Sequence, residues 1–158
     1  MIRHWIVLRH AHAEAQSSDG NDFARELSER GRGEAQRAAD ALRKMLDGRV
    51  PRILSSPATR AESTAQIVAE SLGDSVGFNA RIYNATPGDL LDVFNATGPT
   101  ETVLLVGHNP GIEEVVALLV DGRSQAHRGM PTSGIAVIDV PAGLVEPGQG
   151  QLRAYWAP

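Results

Sequence analysis

The stretch Trp5–Glu14, WIVLRHAHAE, joins a short apolar run to a cluster of charged and imidazole side chains. Trp5–Leu8 are all apolar, and a run of this kind is typical of a strand that is buried on both faces of a sheet. Arg9 and His10 follow at once, where such a strand would end. In open α/β sheets, ligands bind beyond the carboxyl ends of the strands, so this position predicts a functional site.

The rest of the chain alternates between strand and helix patterns. Thr102–Val106 is a second strongly apolar strand, and it ends in Gly107-His108. The remaining pattern predicts four helices: one from a Ser28 N-cap to Gly48, one begun by Ser56-Pro57 and ended by Gly73, a short one at Pro87–Phe94, and one begun by Asn109-Pro110 and ended by Gly122. It also predicts a strand at Arg52–Leu54, a weaker strand at Val76–Ile82, and late strands at Ile135–Val140 and Leu152–Trp156. This alternation predicts an α/β fold with a mostly parallel sheet.

Composition narrows the class of protein. The 158 residues fit one domain, residues 1–158, with 42% hydrophobic and 22% charged residues. The net charge of −4 does not favour nucleic-acid binding, and no apolar run approaches membrane-spanning length. The chain has no cysteine, which excludes disulfides, thiolate metal sites and a cysteine nucleophile. We expect a cytoplasmic monomer, because no signal peptide and no spare apolar helix is evident.

Four residues together predict phosphate binding and phosphoryl transfer: Arg9, His10, Arg60 and His108. Arg60 falls in the first turn of a predicted helix, and His108 immediately precedes another, where free N–H groups attract anions. Two arginines and a protonated His108 suit phosphate, since the arginine fork donates two hydrogen bonds to two oxygens. A neutral His10 can then attack phosphorus and carry the phosphoryl group.

Other interpretations of these residues stay open. Each one alone is more often a solvated strand end or a surface residue than a catalyst. His10 and His12 have a metal-ligand spacing, and with Glu14 and His108 they could hold a divalent ion. A module that binds phosphate without catalysis would also need the arginines.

Five blocks of sequence resemble the histidine phosphatase superfamily, and most closely its SixA-type phosphohistidine phosphatases. They are LRHAHAE at Leu8–Glu14, RELSERG at Arg25–Gly31, SSPATRAEST at Ser55–Thr64, VGHNPGIEEV at Val106–Val115 and GMPTSGIAVIDV at Gly129–Val140. The resemblance implies a three-layer α/β/α sandwich, phosphoglycerate mutase-like, without metal or organic cofactor. It also implies that His10 is the phosphorylated nucleophile and that Arg9, Arg60 and His108 form the phosphate pocket.

The sequence departs from the family in two places. Ala11 stands where the superfamily usually has glycine, and Asn84 stands where many relatives carry a glutamate general acid. Asp89 is the candidate general acid that remains nearby. Imidazole, whose conjugate acid has a pKa of ~6.5, leaves more readily than an alkoxide and has less need of an acid. We therefore expect the substrate to be phosphohistidine of a protein; the alternative is a phosphomonoesterase acting on a small phosphorylated metabolite.

Overall fold

A six-stranded sheet lies at the centre of the computed structural model, which describes residues 2–158. The strand order is β3-β2-β4-β1-β5-β6. The strands are β1 (Ile2–Arg9), β2 (Arg52–Ser55), β3 (Val76–Phe78), β4 (Thr102–Gly107), β5 (Ile135–Pro141) and β6 (Gln151–Trp156), and the helices are α1 (Glu29–Leu46), α2 (Thr59–Leu72), α3 (Pro87–Asn95) and α4 (Gly111–Asp121). The first four strands run parallel, and β5 and β6 are antiparallel to their neighbours.

Side chains of β1 alternate between two hydrophobic layers. Ile6 and Leu8 pack in a core with residues of α1 and α2, whereas Trp5 and Val7 pack in a second core with residues of α3 and α4. Successive strand residues point to opposite faces, so a continuous apolar run is what a doubly covered strand requires. The predicted three-layer α/β/α sandwich with a mostly parallel sheet is confirmed.

The predicted start of α2 is wrong by two residues. The helix begins at Thr59 with Ala58 as its N-cap, and no side chain caps it. The Ser56 amide instead donates to the Val106 carbonyl, and its hydroxyl accepts a hydrogen bond from the Ala58 amide. Ser56 therefore extends the end of β2, while Arg60 still lies in the first turn of the helix.

Two other boundaries also differ from the prediction. The strand predicted at Val76–Ile82 ends at Phe78, because the Asn79 side chain accepts from the Arg81 amide and turns the backbone into a short 3-10 helix. Helix α4 begins at Gly111 rather than at Pro110, although the Asn109 side chain still accepts from the Glu113 amide as a cap would. Within residues 2–158, no helix is both long and apolar enough to cross a membrane.

The carboxyl ends of three parallel strands are level at one edge of the sheet. Arg9 of β1 is paired with Gly107 of β4, and Ser55 of β2 is paired with Val106 of β4. The residues that follow these strands therefore emerge side by side. They include His10 after β1 and His108 after β4.

Helix α1 crosses the segment after β1 at very close range. A Cβ atom on Gly31 would lie 1.8 Å from the His12 carbonyl oxygen, so no other residue fits without a shift of the backbone. We expect Gly31→Ala to lower the free energy of unfolding by about 1–3 kcal/mol, the usual cost of overpacking. Chemical denaturation of the variant measures this change.

Gly33 provides the matched control in the same helix. A Cβ there would meet only the Arg37 Nη1 atom at 3.5 Å. Gly33→Ala should instead stabilise the protein by about 0.5–1 kcal/mol through helix propensity. Equal effects of the two substitutions would show that the close approach at Gly31 is absent in solution.

Candidate active site

The structure brings Arg9, His10, Arg60 and His108 together at this edge of the sheet. The rings of His10 and His108 have centroids 5.1 Å apart. His10 and Arg60 are only 7% and 6% exposed, respectively. Burial, and then the positive charges of Arg60 and Arg9, lower the pKa of His10 to about 4. His10 is therefore a neutral imidazole at physiological pH, as a nucleophile must be.

One hydrogen bond determines which nitrogen of His10 is free. Nδ1 lies 2.7 Å from the Ala11 carbonyl oxygen. A carbonyl can only accept, so Nδ1 carries the proton and Nε2 keeps its lone pair. The Ala11 amide in turn donates to Thr64 Oγ1 at 3.0 Å, and Thr64 Oγ1 donates to the Arg60 carbonyl at 2.7 Å. Thr64 thus connects the peptide that orients His10 to the helix that carries Arg60.

His108 is held by Ser56. Its Nε2 lies 2.8 Å from Ser56 Oγ, which already accepts from the Ala58 amide. With the Ser56 hydroxyl donating to Nε2, the single proton of the neutral ring is on Nδ1, and Nδ1–H is a donor. Burial, together with His10 and Arg60, lowers the pKa of His108 to about 3. His108, which we expected to be protonated, is thus neutral in this structure, because burial disfavours the imidazolium.

Three donors around His10 have no partner. Among residues 2–158, five buried side-chain nitrogen or oxygen atoms lack a hydrogen bond within the protein, and three of them are Arg9 Nε, Arg60 Nε and His108 Nδ1. The other edges of both guanidinium groups are occupied: Arg9 Nη1 donates to the Met130 carbonyl at 2.9 Å, and both Nη atoms of Arg60 donate to Asp22. Unpaired buried donors are costly, and their concentration here indicates an anionic ligand.

Asp22 is a residue of the site that the sequence did not predict. It begins a short 3-10 helix, Asp22–Ala24, in the polar segment before α1. Arg60 Nη1 donates to its carbonyl at 2.8 Å, Arg60 Nη2 donates to its Oδ2 at 3.1 Å, and Tyr83 Oη donates to Oδ2 at 2.7 Å. Hydrogen bonds from Tyr83, Arg25 and Arg60 hold the pKa of Asp22 well below its usual range.

A buried carboxylate on α1 holds the segment after His10 in place. Glu34 is 3% exposed, and its Oε1 accepts from the His12 amide at 3.0 Å and from Ser133 Oγ at 3.2 Å. Burial alone would raise the pKa of Glu34, but these bonds and one from the Thr132 side chain keep it lowered. The Ser133 amide donates to the Arg9 carbonyl at 3.0 Å, so Glu34 links both segments that flank the site.

Asp89, the candidate general acid, lies in the first turn of α3. Its carboxylate accepts from the Thr86 amide at 3.0 Å and completes the capping box of α3, and it also pairs with Arg81 at 3.5 Å. Hydrogen bonds from the amide and side chain of Thr86 lower the pKa of Asp89. Its hydrogen bonds and ion pairs go to Thr86 and Arg81 and not to Arg9, His10, Arg60 or His108, and this setting suits a helix cap.

The alternative divalent-ion site of His10, His12, Glu14 and His108 does not form in the structure. Across residues 2–158, no three side chains of histidine, cysteine, aspartate or glutamate are placed to hold a metal ion. His12 Nδ1 instead lies 2.7 Å from Ser28 Oγ, the N-cap of α1. Glu14 is exposed and forms no metal-binding group with His10 or His108.

The two buried histidines predict that acid destabilises the fold. Between about pH 4 and 6.5, the neutral His10 and His108 of the folded protein bind fewer protons than the same residues in the unfolded chain. The free energy of unfolding should therefore fall as the pH drops through this window, by about 1.4 kcal/mol per pH unit for each histidine. Urea unfolding at near-neutral pH and at about pH 5 measures the slope.

The variant His10→Gln/His108→Gln is the control for this slope, because carboxylates also titrate at low pH. It should be less sensitive to acid over the same window. An unchanged slope in the variant would contradict the assignment.

Comparison with known proteins identifies the family. Residues 5–90 match the family model of the histidine phosphatase superfamily, branch 1. The chain belongs to this superfamily. An uncharacterized Mycobacterium tuberculosis protein is 34% identical over 158 residues, which cover 93% of this chain and 98% of the relative. This histidine phosphatase is a hydrolase, and the predicted phosphoglycerate mutase-like fold is confirmed by solved structures of similar proteins.

Two of those structures have SixA names. One is a candidate phosphohistidine phosphatase SixA from Agrobacterium tumefaciens, with 32% identity and a TM-score of 0.83, and the match covers 99% of this chain and 98% of the other. The second is a protein histidine phosphatase SixA in complex with tungstate, with 25% identity and a TM-score of 0.82 over 98% of this chain and 97% of the other. The resemblance to SixA-type proteins seen in the sequence is confirmed.

Proposed function

We propose that this histidine phosphatase hydrolyses phosphohistidine on a protein through a phosphoryl intermediate on His10. The observation that carries the proposal is the set of three unpartnered donors, Arg9 Nε, Arg60 Nε and His108 Nδ1, beside an imidazole whose Nε2 is free. A phosphoryl group has three equatorial oxygens, and each of these donors can take one. The tungstate held by a SixA structure is likewise a tetrahedral oxyanion.

The proposed reaction has two displacements at phosphorus. In the first, the lone pair of His10 Nε2 forms a bond to phosphorus as the bond to the leaving nitrogen breaks. In the second, water attacks phosphorus and the electron pair of the P–N bond returns to His10. Arg9 and Arg60 supply the positive charge that stabilises the equatorial oxygens, and a dianion bound beside His108 favours its protonation.

The form of the site supports a substrate presented by another protein. Asp22, which accepts hydrogen bonds from Arg60, has a side chain that is 51% exposed, so the site has a solvent-accessible side next to Arg60. A phosphoimidazole on a protein surface can enter such a pocket, and its leaving group is a good one. The names of the two SixA structures support the same class of substrate.

A substrate comparison tests the proposal. The enzyme is incubated with a phosphohistidine-containing carrier protein and, separately, with sugar phosphates and phosphoglycerates, and phosphate release is followed. We expect kcat/KM to be highest for the phosphoprotein and to be unchanged by EDTA, because the arginines provide the positive charge. Turnover of the metabolites with none of the phosphoprotein would favour the metabolite phosphatase instead.

A further inference from the structure

We propose that Phe23, supported by Tyr83, is the contact through which the enzyme docks the protein that carries phosphohistidine. This inference rests on the proposed function, because it names the surface that receives that substrate. Phe23 belongs to the short 3-10 helix before α1, and Tyr83 follows the 3-10 helix after β3. We call these two rings the aromatic rim.

Four rings lie side by side from the nucleophile to the surface. The centroid of the His108 ring is 5.1 Å from that of His10, and the Tyr83 ring meets His108 edge to face at 5.5 Å. Phe23 meets Tyr83 edge to face at 5.1 Å. His10 is 7% exposed, His108 and Tyr83 are half-buried, and Phe23 is 37% exposed. The row therefore begins at the phosphoryl site and ends in solvent.

The segment that carries Phe23 is fixed against the site. The carbonyl of the preceding residue, Asp22, accepts from Arg60 Nη1 at 2.8 Å, and Asp22 Oδ1 accepts from Arg25 Nη1 at 3.0 Å. Burial is the largest cause of the low pKa of His10, and Arg25 is one of three arginines whose charges lower it further. The segment thus lies within electrostatic range of the nucleophile, and Phe23 has a defined place at the edge of the site.

The depth of the nucleophile determines what must reach the aromatic rim. A histidine side chain is short and His10 is buried, so a protein that presents phosphohistidine has to bring its own surface against the mouth of the site. Residues beside the phosphohistidine would then cover Phe23. Aromatic rings are frequent anchors of such contacts, because they bury a large apolar area. The rim therefore predicts an apolar side chain next to the phosphohistidine of the partner.

Leu144 shows that position, and not exposure alone, distinguishes Phe23. Isolated exposed apolar side chains are common on protein surfaces, and Leu144 is 80% exposed. It lies in the loop between β5 and β6. Pro141, the last residue of β5, pairs with Ile2 at the start of β1, so this loop is at the opposite end of the sheet from His10. Leu144 is therefore a matched control for loss of an exposed apolar side chain.

Phosphohistidine in two forms tests the docking contact. We compare Phe23→Ala with the wild type on a carrier protein phosphorylated on histidine and on free phosphohistidine, the phosphorylated amino acid. The P–N bond and the leaving group are the same in both, so only the protein surface differs. Loss of the ring should lower kcat/KM for the carrier protein by about tenfold, through a higher KM, and for the free amino acid by less than about twofold.

Two further variants complete the comparison. Phe23→Leu keeps apolar bulk and should restore part of the loss on the carrier protein, whereas Leu144→Ala should change neither substrate. Equal losses of Phe23→Ala on both substrates would overturn the proposal, since the ring would then support the pocket itself. An unchanged kcat/KM for the carrier protein would overturn it as well. The proposed function is tested separately by the wild-type rate on the carrier protein, and a wild type inactive on it would contradict that function and the docking role with it.

Discussion

Replacing His10 with alanine is expected to lower kcat/KM on the order of 10⁴-fold or more, the scale on which covalent nucleophiles contribute. No neighbouring histidine is placed to replace His10 as the nucleophile, because His12 is hydrogen-bonded to Ser28 and His108 Nε2 is hydrogen-bonded to Ser56. Steady-state assays on a phosphohistidine protein measure the loss. Thermal unfolding of the same preparation shows whether the variant is folded.

His127→Ala is the matched control for this substitution. His127 is an exposed imidazole whose side chain is 43% accessible, and its nearest charged partner is Glu113 at 3.8 Å. The control should keep nearly all activity. Retention of activity by His10→Ala would show that the reaction does not pass through His10.

Replacing Arg60 with lysine is expected to lower kcat/KM by about 10²–10³, although the positive charge is kept. Arg60 places both Nη atoms on Asp22 and leaves Nε for the ligand. A lysine is a single point of charge and cannot make both sets of bonds at once. The inhibition constant of vanadate, measured in the same assay, should rise as well.

Arg43→Lys is the control for the arginine substitution. Arg43 lies on the exposed face of α1, where it pairs with Asp40 at 3.5 Å. Its side chain is 61% exposed, and surface pairs of this kind contribute little. If Arg60→Lys were as active as Arg43→Lys, the phosphate pocket would lie elsewhere.

The positions that follow parallel strands could be predicted from the sequence. Apolar runs end at Arg9 and at Gly107, and the paired register of these residues brings His10 and His108 to one edge. Arg60 was predicted in a first helical turn and lies there, even though α2 begins later than its Ser-Pro signal indicated. Such features depend on local patterns and on the general geometry of α/β sheets, which is why the sequence carries them.

Contacts between distant loops could not be predicted in the same way. Asp22 meets Arg60 across 38 residues and Tyr83 across 61, and neither spacing has a periodic signature. The role of Gly31 likewise depends on how closely α1 crosses the His12 carbonyl. The capping box of α3 is different, because a Thr86-x-x-Asp89 pattern before an apolar run is a recognisable helix start. That signal predicts the capping role that Asp89 has at the start of α3, and its candidacy as a general acid stays a prediction.

Trapping the phosphoenzyme tests the central claim most directly. The enzyme is mixed with a carrier protein bearing labelled phosphohistidine, quenched rapidly in base, and digested, and the labelled peptide is sequenced by mass spectrometry. We predict an acid-labile phosphoryl group on His10, formed and lost at rates that account for turnover. Label on another residue, or turnover without any labelled enzyme, would contradict the mechanism.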